Sequence, residues 1–188
     1  MNTDLKMELG EVIHRGYTIR RAEAEHIPFL NGIELAAATI FPPGSIPEHI
    51  LSDKLPLDVL RSAMDKDMLW VALDVSGIPV GYALLQVVDS FALLAQMDVH
   101  PDHGRKGIGT TLVSYVIRHV REMGFAELYL TTFSNVKWNA IFYEKLGFQI
   151  LETWEQPRFI QGILHNERKC GLSNRVAMRL SIRPRRNG

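Results

Sequence analysis

Cysteine is almost missing from this chain: Cys170 is the single copy among 188 residues. One thiol excludes an intramolecular disulfide and fits a reducing cytosol. With no catalytic signature beside it, Cys170 reads as a small apolar packing residue. An excess of either charge is missing too. Lys plus Arg and Asp plus Glu stand at 21 each, so no global field recruits nucleic acid or a membrane surface. No apolar run approaches the roughly 18 residues that a membrane span requires. The opening stretch MNTDLKMELGEV is acidic and has no apolar segment, so no secretory signal is expected. Internal repeats and low-complexity tracts do not occur. The tail Arg183-Pro184-Arg185-Arg186 is short and is expected as a solvated terminus. Together these absences imply a soluble cytoplasmic protein with one sizeable core. The expected division is a loose leader over 1–15, a domain over 16–182 and a basic tail over 183–188.

What is present alternates between two periods. Tyr17 to Arg21 alternates apolar and polar and predicts a first, edge-like strand. Ala22 to Thr39 carries a helical stripe including Ile27, Leu30, Ile33, Ala37 and Ile40, and Phe41-Pro42-Pro43-Gly44 ends it. Pro47 to Asp65 predicts a second helical stretch. Met68–Val75, Ile78–Val88 and Phe91–Val99 read as three strands of an antiparallel meander, the first turn at Ser76-Gly77. A helix over 107–123 closes at Gly124. The strand Glu127–Phe133 is reached through that helix, which makes it parallel to 91–99. A short helix from Asn139, a strand over 148–154, a helix over 158–171 and a final strand over 175–182 complete the pattern. The fold class is therefore α/β with a mixed sheet.

The most informative segment is His100-Pro101-Asp102-His103-Gly104-Arg105-Lys106-Gly107-Ile108-Gly109-Thr110. A strand ends here in a basic, glycine-bearing loop that opens onto a helix. Glycines let the backbone approach an anion, amides point at it, and the helix dipole favours its charge. A β-branched residue at Gly107 is expected to intrude on that approach and to restrict the backbone. A Walker loop would need G-x-x-x-x-G-K-[ST], which the chain lacks. A dinucleotide fingerprint would need a third glycine where Leu112 stands. An ordinary basic strand–helix connector is the plain alternative.

The loop resembles the pyrophosphate signature [QR]-x-x-G-x-[GA] of the GNAT superfamily of acyl-CoA-dependent N-acyltransferases. Gly107 and Gly109 fall on it, while Gly104 replaces the Gln or Arg and Arg105 follows at once. Some thirty residues on, Asn139-Ala140-Ile141-Phe142-Tyr143-Glu144-Lys145-Leu146-Gly147-Phe148 resembles the family's second cofactor segment, N-x-x-A-x-x-[FY]-Y-x-x-x-GF. Ala140, Tyr143 and Leu146 recur every three residues and would share one helix face. A core helix capped by glycine explains part of this segment without any cofactor.

The resemblance implies a mostly antiparallel central sheet flanked by helices, with a splayed parallel strand pair. It implies N-acetyl transfer from acetyl-CoA, as co-substrate, to a primary amine of a small molecule or peptide by direct attack. Such chemistry needs positioned reactants, a proton acceptor for the amine and a proton donor for the leaving thiol. By resemblance, the backbone of Val99 would meet the pantetheine arm. The amides of Arg105, Lys106, Gly107, Ile108, Gly109 and Thr110 would cradle the pyrophosphate, Arg105 and Lys106 adding charge, and Asn139 would hydrogen-bond the arm. Tyr143 sits at the family's general-acid position. The base stays open among Asp98, Glu34, His49, His100 and a water chain. The acceptor site would lie around 26–55 and 152–172, whose acidic groups suit a cationic amine. No metal is implied, because His100 and His103 lack partners at ligand spacing. A non-catalytic acyl-CoA-binding sensor is the reading from another class. Neither nucleic acid nor membrane is an expected partner, and a homodimer is left open.

Overall fold

The structure, a computed structural model, describes residues 11–13 and 16–182. Eight strands run in the hydrogen-bonded order β1-β2-β3-β4-β5-β6-β8-β7. They are β1 (Glu11–Ile13), β2 (Tyr17–Arg21), β3 (Leu69–Leu73), β4 (Pro79–Val88), β5 (Phe91–Val99), β6 (Glu127–Phe133), β7 (Gln149–Ile150) and β8 (Arg175–Ser181). The helices are α1 (Ile27–Ala38), α2 (Glu48–Leu51), α3 (Leu57–Asp65), α4 (Ile108–Glu122), α5 (Asn139–Lys145) and α6 (Arg158–Lys169). The chain gathers into two compact units. One takes the described residues up to Ile40, with Asp53–Gln86 and Gln96–Val116. The other takes Phe41–Ser52, Val87–Ala95 and the described residues from Ile117 on.

In the first unit β2 is not an edge. The strand β1 pairs antiparallel with it, Val12 opposite Thr18, inside the stretch expected as a loose leader. The rest of that stretch, and the basic tail over 183–188, lie outside the described residues. On its other side β2 pairs antiparallel with β3, Ile19 opposite Ala72, and β3 is buried along its whole length. The first helix starts at Ile27 rather than Ala22. Residues 23–26 form a turn in which the Glu23 amide donates to His26 Nδ1 at 2.8 Å and the His26 amide to Glu23 O. Ile27, Leu30, Ile33 and Ala37 then bury one stripe. The helical stretch expected over 47–65 divides into α2 and α3. Pro56 stands before α3, where its ring cannot continue a helix from residues 52–55. The β3–β4 turn is held by Asp74, whose Oδ1 accepts the amides of Ser76 and Ile78, with Gly77 at φ 77°.

In the second unit β5 begins parallel to β6, Ala92 opposite Leu128 and Leu93 opposite Tyr129. The connection passes through α4, the crossover that a parallel pair requires. Between β4 and β5 lie only Asp89 and Ser90, both left-handed, a two-residue turn that leaves an antiparallel pairing as the sole geometry. Next, β8 pairs antiparallel with β6, from Glu127 opposite Ser181 to Phe133 opposite Arg175, and with β7 on its other side. The strand expected over 148–154 is thus cut to two residues. Residues Thr153–Glu155 turn into a 3-10 helix closed by a capping box of Glu152 and Glu155. Leu93, Tyr129, Leu151, Phe159, Ile160 and Ala177 form this unit's core, with Phe91 stacked on Phe159 at 4.6 Å. Cys170 is exposed at the end of α6 and does not pack, which corrects its expected role.

Candidate functional site

The phosphate-type loop is placed by the ends of β4 and β5. The His100 amide donates to Val80 O at 2.8 Å. A Cβ on Gly81 would lie 3.0 Å from Asp98 O and 3.2 Å from Val99 Cγ2, so a side chain there would push the end of β5 away by a few tenths of an ångström. Residues Pro101–His103 make one 3-10 turn, capped by His100 Nδ1 accepting from the Asp102 amide. A Cβ on Gly104 would meet Pro101 O at 3.1 Å, so a side chain there, as the family signature has, would need the turn to shift. Arg105 and Gly107 are both left-handed, at φ 57° and 83°. A non-glycine residue in that region costs on the order of 1 kcal/mol, and such strain gathers at sites.

From Gly107 the chain enters α4. The Thr111 amide and Oγ1 both donate to Gly107 O at 3.0 Å. The amides of Ile108, Gly109 and Thr110 precede that first bond and have no helical acceptor. A Cβ on Gly107 would meet nothing within 4 Å. The expected steric intrusion at this position is therefore not against the protein itself. The cost there is the backbone conformation, and the space beside it is open. Loop, helix and open space together fit a phosphate group.

The two loop cations differ. Arg105 is exposed. Lys106 Nζ donates to Asp102 O at 3.0 Å and to the Tyr17 hydroxyl at 3.1 Å. That hydroxyl lies 2.9 Å from His103 Nδ1.

Just before the loop, β5 carries Gln96 and Asp98 on the same face, two residues apart. Gln96 Nε2 donates to Asp98 Oδ2 at 2.6 Å. Asp98 is half-buried, and its removal from water pushes its carboxyl up to about 7. The Glu34 charge raises it further, while Gln96 and Tyr82 act the other way. Tyr82, fully buried on β4, meets Asp98, but its hydroxyl lacks a partner with full hydrogen-bond geometry. Glu34 on α1 is also raised, first by burial, yet its Oε2 accepts the Leu55 amide at 2.9 Å. It ties α1 to the segment before α3. His49 and His100 take structural partners, Cys170 O at 3.1 Å and the Asp102 amide. Among the described residues no group of three or more His, Cys, Asp or Glu side chains could hold a metal.

In the second unit, α5 buries Asn139 and Tyr143, an i,i+4 pair, and Ala140 and Leu146 are half-buried beside Tyr143 on the expected face. Thr132 Oγ1 donates to Asn139 Oδ1, and the Tyr143 ring stands edge-on to Phe142 and Phe148. Counted back from Tyr143 and Gly147, the family pattern puts its asparagine at Val136 and its alanine at Asn139. Asn139 is thus a different asparagine, with its carbonyl end spent on seating α5 against β6. Gly147, at φ 93°, ends the helix as expected.

Residues 39–148 match the family model described as Acetyltransferase (GNAT) family. This chain belongs to the GNAT acetyltransferases. Members of that family use acetyl-CoA as co-substrate. A spermidine N(1)-acetyltransferase of Thermoplasma acidophilum is 25% identical over 108 residues, spanning 57% of this chain and 67% of that one. A [ribosomal protein bS18]-alanine N-acetyltransferase of Escherichia coli strain K12 is 33% identical over 73 residues. That match spans 39% of this chain and 49% of the E. coli protein. The PaiA N-acetyltransferase of T. acidophilum, solved in complex with coenzyme A, shares the fold at a TM-score of 0.68 and 18% identity. The alignment covers 88% of this chain and 99% of that one. No helix among the described residues is long and apolar enough to cross a membrane.

Sequence reasoning named Asp98 and Glu34 but not what separates them. The i,i+2 spacing of Gln96 and Asp98 was an available signal for a shared strand face. Tyr82 and Tyr17 offered none, since their partners lie far along the chain.

Proposed function

We propose that this GNAT member transfers the acetyl group of acetyl-CoA to a primary amine of a small molecule or peptide by direct attack, with Asp98 taking the amine's proton. The observation that carries the reading is the Asp98 setting. A carboxyl raised to about 7 is poised near neutral pH, where a general base works best. Glu34 is the weaker base, because its carboxylate already holds the Leu55 amide. When bound, acetyl-CoA supplies the activated acetyl group. The amides of Arg105 to Thr110 would hold its pyrophosphate, with Arg105 and one free N–H of Lys106 adding charge. The backbone of Val99 would meet the pantetheine arm. Tyr143 Oη would give up a proton to the departing sulfur.

Two carboxylates in the first unit favour an acceptor that arrives as a cation. By their names, the two relatives act on spermidine and on a ribosomal-protein alanine, both amines. The test is thiol release from acetyl-CoA across polyamines, aminoglycosides, amino acids and short peptides, run with wild type and Asp98→Asn. Turnover with a cationic amine that collapses in Asp98→Asn supports the reading. Coenzyme A binding without thiol release for any amine would leave a non-catalytic acyl-CoA sensor.

A further inference from the structure

We infer that Tyr17, on β2, is a positioning residue for the cofactor loop and acts through Lys106. The inference rests on the reading of that loop as the pyrophosphate site. An ammonium has three donors and no acceptor. Lys106 spends one on Asp102 O and one on the Tyr17 hydroxyl, so a single N–H remains for a phosphate oxygen. A lysine on a free stem wanders among rotamers, and ordering it upon binding costs conformational entropy. Held at two points, this ammonium is fixed before an anion arrives.

Tyr17 is itself held. Lys106 occupies a lone pair of the phenol oxygen, which frees the phenol proton to go to His103 Nδ1 at 2.9 Å. The two rings meet edge-on, 5.7 Å between centroids, and Tyr17 is 8% exposed. His103 therefore carries its own proton on Nε2 when neutral. Burial lowers its pKa, and the Lys106 and His100 charges lower it further against Asp74 and Asp102. A directed chain results, from Lys106 through Tyr17 to His103, both ends of which sit in the loop. It joins β2 to residues 103–106 across 86 positions of sequence.

Two measurements test this. In free protein, nitrogen-15 spectra of His103 should show Nδ1 as an unprotonated acceptor, and Tyr17→Phe should raise the His103 pKa while the ring keeps its packing. In calorimetry with coenzyme A, Tyr17→Phe should weaken binding about three- to tenfold, the span of one net hydrogen bond. Lys106→Met should weaken it about tenfold or more, and adding Tyr17→Phe to Lys106→Met should cost nothing further. Equal losses from Tyr17→Phe with and without Lys106 would overturn the inference, as would no loss at all. Failure of the pyrophosphate reading looks different: neither Gly107→Val nor Lys106→Met would then change coenzyme A affinity.

Discussion

Two stretches of the first unit, a few residues apart, are built on opposite principles. The loop over 104–110 works through its backbone: left-handed Arg105 and Gly107, and three amides at the head of α4 that have no acceptor within the helix. The cluster of Asp98, Gln96, Tyr82 and Glu34 works through side chains whose character depends on burial. A backbone device is written locally, in glycines and their spacing. A side-chain device is assembled from β4, β5 and α1, and its properties appear only when those elements pack. Motif resemblance therefore reaches the first and stops short of the second.

The largest effect should separate the two carboxylates. Asp98→Asn removes the proton acceptor and should cut turnover by about two to four orders of magnitude. It should also erase the ascending limb near pH 7, since the wild-type carboxyl must ionise to act. Glu34→Gln should keep that limb and move it to lower pH, because the Glu34 charge that raises Asp98 is gone. If both variants keep rate and limb, a water-borne proton path replaces Asp98, and the contrast between loop and cluster loses its catalytic meaning.

A comparable loss is expected from Tyr143→Phe, about two to four orders of magnitude in turnover, with little change in coenzyme A affinity. The phenyl ring retains its edge-on contacts with Phe142 and Phe148. Should turnover survive while stability falls by about 1–3 kcal/mol, the hydroxyl merely satisfies a neighbour. One variant, assayed both ways, decides between those roles.

Gly107→Val probes the backbone device alone. No protein atom lies within 4 Å of the added Cβ, so the fold should hold. The residue must nevertheless leave φ 83°, and the amides behind it turn with it. Coenzyme A affinity should fall at least about tenfold, as seen by calorimetry, while backbone strain lowers stability by on the order of 1–2 kcal/mol. Unaltered affinity in a folded variant would mean that the loop is an ordinary connector.

How much of this could be read beforehand follows the same division. The three-strand meander, the α4 crossover and the glycine stops at 124 and 147 carry local signals, and they stand as expected. The break at Pro56 is equally local, since proline cannot continue a helix from the residues before it. β1 and the two-residue β7 have no pattern of their own and exist by pairing with β2 and β8. On α5 the period of three points to Ala140, Tyr143 and Leu146, of which Tyr143 is buried and the other two half-buried, while Asn139 is buried as well. The burial of Asn139 comes from its contact with Thr132 on β6, which no local period records.

The smallest effect is thermodynamic, and it isolates the cluster without any substrate. Asp98 in the folded chain holds its proton up to about pH 7, against an ordinary value of 3.8. Between those values the folded state binds the proton more tightly than the unfolded state does. Stability from this group is thus complete below about pH 4 and is lost as pH rises through 7. Glu34 contributes in the same direction, and buried His26, with its lowered pKa, contributes in the opposite one. Both persist in Asp98→Asn: His26 cancels in the difference between variant and wild type, and Glu34 does so apart from its coupling to Asp98. That difference, from urea unfolding, should move by about 2 kcal/mol in favour of the variant between pH 5 and pH 8, with partial solvent contact holding it below the full linkage value. A pH-independent difference would show that Asp98 titrates as an ordinary carboxylate, and the case for it as the base at neutral pH would fall with it.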